Sequence, residues 1–309
     1  MSGGSRLPRI AVVIVTHNSA DVIAGCLAAL PEGARGVELS HVIVVDNASV
    51  DESLRIAHEV WPLAEIVRLD RNAGYAAGLN AGVDVLSGRE PDAVLALNPD
   101  CRLRPGALKG MADALSVAPR GIVAPRLLNL DGSLQPTLRR PPTVGGALAE
   151  ALIGGRLADR IGIGELVFDK ASHHRAGPTA WATGAALLVS WHALVQVGPW
   201  NESFLLYSEE TEFIFRAADK GWTTWYEPTA VVDHKGGESE TNPGLAALLI
   251  VNKVKFYRTR HRWGASTAYW LAVLLGESLR AVVGQKTAQA SVAALLRSSR
   301  RITSLAELG

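Results

Sequence analysis

Apolar runs and helical periods alternate through the first hundred residues of the chain. Ile10–Val15 is a continuous apolar run, the pattern of a strand covered on both faces. Ser19 stands where it can cap a helix to Leu30, which Pro31 would end. His41–Val45 reads as a second strand. Ser49 and Glu52 then have the S-x-x-E spacing of a capping box and open a helix to about Val60. Ala64–Leu69 and Ala76–Leu86 repeat the pair. Ala93–Leu97 is a fourth strand, followed by a helix opened by Pro105. Strands alternating with helices predict an α/β fold with a mostly parallel sheet flanked by helices.

Past residue 125 the pattern loosens. Asp131-Gly132 lies between short apolar runs and predicts a hairpin. Residues 139–178 are rich in Gly and Pro and read as an irregular excursion with one helix near Val144–Leu157. His173-His174 falls in it as a surface feature. Ala180–Val189 returns as a strand, and Glu209–Lys220 as a helix stopped by Gly221. Thr223–Tyr226 and Ala230–Asp233 read as two short strands. Helical segments dominate from Leu245 onward.

The composition, 48% hydrophobic and 20% charged over 309 residues, is that of a globular protein. A net charge of +1 gives no support to a nucleic-acid partner. That balance hides an asymmetry, because residues 252–309 carry ten Lys/Arg against Glu277 and Glu307. Within them, Lys253–Trp263 interleaves cations with aromatics ahead of an apolar stretch, which suits a helix lying on an anionic membrane surface. Cys26 and Cys101 form no disulfide framework, and a reducing compartment is the default. The N-terminus has no signal-peptide pattern, and no apolar run is long enough to span a bilayer.

Ligands of open α/β sheets bind outside the carboxyl ends of the parallel strands. Here those ends read Thr16-His17-Asn18, Asp46-Asn47, Arg71-Asn72-Ala73-Gly74-Tyr75 and Asn98-Pro99-Asp100. One polar tip is an ordinary strand terminator; four on one sheet edge point to a site. The P-loop, dinucleotide, serine-hydrolase and zinc-protease signatures are missing.

These tips, extended as VIVTHN, VVDNASVD, RNAGYAAGLN and LNPD, resemble the N-terminal blocks of family 2 glycosyltransferases, most closely the rhamnosyltransferase-like branch. Thr183-Gly184-Ala185, Phe204–Phe215 and Val231-Val232-Asp233-His234 continue the resemblance over about residues 9–260. It implies a GT-A fold, a nucleoside-diphosphate sugar donor, a divalent metal (Mg²⁺ or Mn²⁺) and inversion at the anomeric carbon. The expected division is a GT-A domain over 1–244, with a nucleotide-sugar half (9–125) and an acceptor half (126–244), then a basic helical C-terminal extension over 245–309.

Residue by residue, the resemblance gives Asp46 a hydrogen bond to a pyrimidine N3–H, with Thr16 and Asn18 lining the same pocket. Asn72 and Gly74 fall near the ribose or diphosphate. Asp100 becomes the metal ligand. Asn98 stands where the general D-x-D pattern has its first acid, and His234 completes the metal shell. In Glu209-Glu210-Thr211-Glu212, Glu210 falls on the catalytic base, with Glu209 and Glu212 as acidic neighbours; acids also suit a first helical turn. Trp181, Gly184 and Ala185 fall on the acceptor floor, while Trp200 and Tyr207 suit core packing or sugar stacking. The expected activity is transfer of a sugar, foremost L-rhamnose from dTDP-rhamnose, to a cell-envelope or polysaccharide acceptor, including a polyprenyl-diphosphate-linked one. The alternatives are a UDP-linked donor (galactofuranose, N-acetylglucosamine or glucose) and a degenerate scaffold. The expected location is cytoplasmic and peripheral at the inner face of the plasma membrane.

Overall fold

A computed structural model describes residues 6–237 and 241–305. Strand β1 (Arg9–Thr16) shows why the sheet is covered on both sides. Its side chains alternate, with Ile10, Val12 and Ile14 entering one apolar cluster and Ala11, Val13 and Val15 the other. Helices α1 (Ile23–Gly33), α2 (Ser53–Val60) and α4 (Ala107–Leu115) close the first cluster. Helices α3 (Tyr75–Asp84), α7 (Trp191–Val197) and α8 (Glu209–Asp219) close the second.

The sheet runs β3 (Glu65–Arg68), β2 (Glu38–Asp46), β1, β4 (Ala93–Leu97), β10 (Ala186–Ser190), β6 (Arg120–Leu128), β11 (Thr223–His234) and β5 (Cys101–Leu103), with β8 (Gly177–Thr179) also paired to β11. The first four strands in this order are parallel. Strand β10 lies antiparallel between β4 and β6, and β11 is parallel to β6. Strands β7 (Leu138–Arg139) and β9 (Trp181–Ala182) form a separate antiparallel pair. This is the expected mostly parallel α/β architecture.

Several local expectations change. Pro31 lies inside the last turn of α1, which ends at Gly33; Ser19 contributes a turn carbonyl to Val22 and Ile23 rather than a side-chain cap. Ser49 does not box with Glu52, because its hydroxyl accepts the Asn18 N–H from the neighbouring loop. Asp51 instead receives the N–H groups of Ser53 and Ala20. The middle helix breaks at Gly154 (φ 79°) into α5 (Val144–Ile153) and α6 (Gly155–Arg160). Ala180–Val189 divides into β9 and β10 at Thr183-Gly184-Ala185, whereas the two strands expected at 223–233 are one, irregular between Glu227 and Val231. Strand β6, with Pro125 inside it, was not expected. His173 is no surface residue: it is fully buried, its Nε2 accepts the Thr137 N–H at 3.2 Å, and its carbonyl accepts the Tyr226 hydroxyl.

The C-terminal helices are α9 (Pro243–Arg260), α10 (Trp263–Val282) and α11 (Lys286–Leu296). Val254, Tyr257, Tyr269, Val273 and Leu295 pack there with Ala147 of α5. Much of the basic run expected to meet a membrane is spent inside the molecule. Lys253 pairs with Glu165 at 2.8 Å, Arg260 is bidentate on Asp219, Lys255 binds the Ser203 carbonyl, and Phe256 and Tyr257 are buried. Among the described residues, no helix is long and apolar enough to cross a membrane.

Candidate active site

The loops after β1, β2 and β3 knit together at the carboxyl edge of the sheet. Thr16 stands in register with Asp46, both buried. Asp46 Oδ1 accepts the Ser49 N–H at 3.1 Å, so Asp46 itself caps the loop that Ser49 was expected to cap. Asn18, at φ 48°, accepts the Val50 N–H at 2.9 Å, and Asn72 accepts the Gly74 N–H. Asn47 bridges to the third loop, donating to the Gly74 carbonyl and accepting from Ala73. The Thr16 hydroxyl is buried with no partner among the described residues. Gly74 is required by the fold itself. At φ 98°, a Cβ there would lie 2.2 Å from the Leu205 carbonyl oxygen, which accepts the Tyr75 N–H at 2.7 Å. That contact ties the loop after β3 to the segment leading into α8.

The second cluster forms because β5 pairs with the end of β11, setting Cys101 opposite His234 and bringing Asp100 beside it. Asp100 Oδ1 lies 3.4 Å from His234 Nε2, and Oδ2 accepts the Gly236 N–H at 2.8 Å. Burial works to raise the Asp100 pKa, but His234 and the Gly236 N–H outweigh it and hold the carboxyl below its ordinary value. Gln135 is a participant the motifs did not disclose. Its carbonyl oxygen lies 2.7 Å from His234 Nδ1, while its amide donates to Asn129. The Gln135 oxygen makes Nδ1 the donor on that side and leaves Nε2 to the Asp100 carboxylate. A carboxylate beside an imidazole nitrogen is also a donor set that suits a divalent metal. Cys101 adjoins the pair. Burial, above all, pushes its thiol well up, and it donates to the Ala185 carbonyl, so it is a poor ligand. Asn98 contributes its backbone N–H to the same carbonyl at 2.8 Å.

The third cluster is the acidic start of α8, entered through Leu205, Tyr207 and Ser208, all at positive φ. Glu212 is drawn away into an ion pair with Arg216 at 2.9 Å. Glu209 and Glu210 each keep a buried carboxylate oxygen without a partner among the described residues. Burial raises both. Glu209, further repelled by Glu210, goes well above the carboxylate range, while backbone N–H groups and the Arg139 guanidinium restrain Glu210. The Tyr75 hydroxyl, buried and unpartnered among the described residues, is raised by burial and then by Cys101, Glu209, Glu210 and Asp100.

The interrupted strand at Thr183-Gly184-Ala185 joins the second and third clusters. A Cβ on Gly184 would lie 3.0 Å from the Glu210 Cβ. Ala185 is buried and offers only its carbonyl, so its side chain forms no acceptor floor. Trp181 is half-buried, donates to the Arg140 carbonyl and lies 5.5 Å under the Arg139 guanidinium. Trp200 stacks on Phe213 at 4.0 Å within the core. Asn252 of α9, also unforeseen, donates to the carbonyls of Phe204, Leu206 and Tyr207 and holds the loop before α8. Its only sequence signal is a polar residue among apolar neighbours.

The structure resembles a mannosyltransferase from Pyrobaculum calidifontis in complex with GDP-Man and Mn²⁺, with TM-score 0.55, 18% identity, and coverage of 96% of this chain and 83% of that one. It also resembles GalNAc-T7 with UDP, GalNAc and Mn²⁺, with TM-score 0.54, 13% identity, and coverage of 83% of this chain and 51% of that one. These likenesses establish the GT-A fold. In sequence, the chain is 27% identical over 277 residues to N-acetylglucosaminyl-diphospho-decaprenol L-rhamnosyltransferase of Mycobacterium tuberculosis (strain CDC 1551 / Oshkosh), covering 86% of this chain and 88% of that protein. The family model "Glycosyl transferase family 2" matches residues 11–173. With that match across more than half its length, on a GT-A sheet that carries the Asp100–His234 pair and the acidic start of α8, the chain belongs to glycosyl transferase family 2.

Proposed function

We propose that this glycosyltransferase moves L-rhamnose from dTDP-rhamnose, with inversion, to a sugar carried on a polyprenyl diphosphate. One observation supports this most: the Asp100–Cys101–His234 cluster and the stem of Glu210 both reach the Gly184-Ala185 break, Cys101 through the Ala185 carbonyl and Glu210 against Gly184, so a donor-side group and a base lie on two sides of one strand interruption. The mycobacterial relative, similar over nearly its whole length, supports the choice of donor and acceptor.

Asp46, with Thr16 beside it, receives the pyrimidine edge of the donor. Asp100 and His234 would hold Mg²⁺ or Mn²⁺, which supplies neutralisation of the departing diphosphate. Glu210 accepts the proton of the acceptor hydroxyl as its oxygen forms the new bond to the anomeric carbon and the nucleoside diphosphate leaves. Glu209 keeps its own proton beside it, and Arg139 steadies the Glu210 charge.

The test is transfer to an N-acetylglucosaminyl-diphospho-polyprenol, with dTDP-rhamnose, UDP-galactofuranose, UDP-N-acetylglucosamine and UDP-glucose offered separately in Mn²⁺. Rhamnose transfer alone is expected. Turnover of only a UDP-sugar would replace the donor, and no turnover of any donor would favour a scaffold.

A further inference from the structure

Helices α5, α6 and α10 expose an apolar surface that the fold leaves uncovered. Leu148 and Leu152, one turn apart on α5, are 41% and 62% exposed, and Leu157 of α6 is 45% exposed. Leu271, Leu275 and Leu279 form a stripe at four-residue spacing on α10. The helices lie side by side: Ala151 packs against Gly276, and Ala147 shares a buried cluster with Tyr269, Ala272 and Val273. Each leucine stripe adjoins this small-residue seam. At the start of α10, Trp263 is 85% exposed.

The charges around this surface have one sign. Among the described residues, Arg156, Arg160, Arg262, Arg280 and Lys286 are exposed on these helices and their ends. The acids of the same segments are withdrawn: Asp159 is buried on Arg140, Glu277 is buried on Arg280, and Glu150 faces Lys253. Leucines without exposed carboxylates, rimmed by guanidinium groups and an exposed indole, fit the boundary between acyl chains and anionic headgroups. The surface also has a place relative to the chemistry. Arg139, a cation that acts on Glu210, is separated from α5 only by Arg140, Pro141, Pro142 and the capping Thr143.

We infer that the α5–α6–α10 face docks this protein on an anionic lipid bilayer, with the leucine stripes entering the interface and the arginines meeting the headgroups. Contact is thereby assigned to this face rather than to the basic run of α9. The inference does not depend on which sugar is transferred.

The full-length chain is floated with vesicles of phosphatidylcholine containing 40% phosphatidylglycerol, and with phosphatidylcholine alone. The expected result is binding to the anionic vesicles that weakens with salt and on neutral ones. Combined Leu152→Ser, Leu275→Ser and Leu279→Ser should lower binding at least tenfold, with thermal stability and donor binding unchanged. Arg258→Glu on α9 should have little effect. No wild-type binding at low salt would overturn the inference, as would undiminished binding by the triple serine variant. A dimeric wild type and a monomeric triple variant, neither bound to vesicles, would make the face a contact between copies and also overturn it. Donor hydrolysis in detergent-free solution, measured in parallel, separates a failed membrane contact from a failed enzyme.

Discussion

At the scale of single residues, the site turns on which carboxylates carry charge. In the proposed reaction Glu210 meets the acceptor and not the diphosphate, so Glu210→Gln should lower transfer by about 10²–10⁴-fold. Donor affinity measured by calorimetry should hardly change. Asp100→Asn should act in the opposite way, because it removes the negative member of the pair with His234. Mn²⁺-dependent donor affinity should fall at least about tenfold, the scale of one lost charge-assisted contact, while metal-free nucleotide binding persists. Glu209 makes a further prediction about stability. Its folded pKa lies well above the ordinary value of 4.5. The native state therefore holds a proton that the unfolded state releases, and stability falls as pH rises above about 4.5. Glu209→Gln should flatten that decline in denaturant midpoints measured between pH 4.5 and 7.5.

At the scale of elements, the interruption between β9 and β10 decides where the proposed base, Glu210, stands. Gly184 gives Glu210 its room, and a methyl group at 3.0 Å from the Glu210 Cβ must push the stem aside. Gly184→Ala should therefore reduce turnover on the order of tenfold to a hundredfold, since small misplacements of a reacting group are costly. The nucleotide half should bind donor as before, which a dTDP titration would check. The loop before α8 has the same logic. Three non-glycine residues at positive φ persist there because surrounding contacts over-determine them.

At the scale of the whole molecule, the C-terminal helices are joined to the segments before them rather than hung from them. Asn252 serves three carbonyls of the Phe204–Tyr207 segment, and Lys253 ties α9 to Glu165. Asn252→Leu leaves those carbonyls without their donor and should cost about 1–3 kcal/mol of stability, read as a lowered denaturant midpoint. It should also depress turnover more than donor affinity, because the loop it releases leads to Glu210.

Local pattern alone determined the alternation of strands and helices, the parallel sheet and its polar edge. A buried strand needs an unbroken apolar run, and the residues that end strands sit beside them in the chain. Motif order further singled out Asp100, His234 and Glu210. Tertiary structure decided which of the named residues act on each other. Gln135 lies 99 residues from His234, and Arg139 and Gly184 reach Glu210 from separate segments, so their roles exist only once β5 and β11 pair and β9 breaks from β10. Tertiary structure also withdrew residues from roles that spacing suggested. Ser49 went to Asn18 and Lys253 to Glu165, because a buried or crowded polar group takes the strongest partner in space, whatever its distance along the chain.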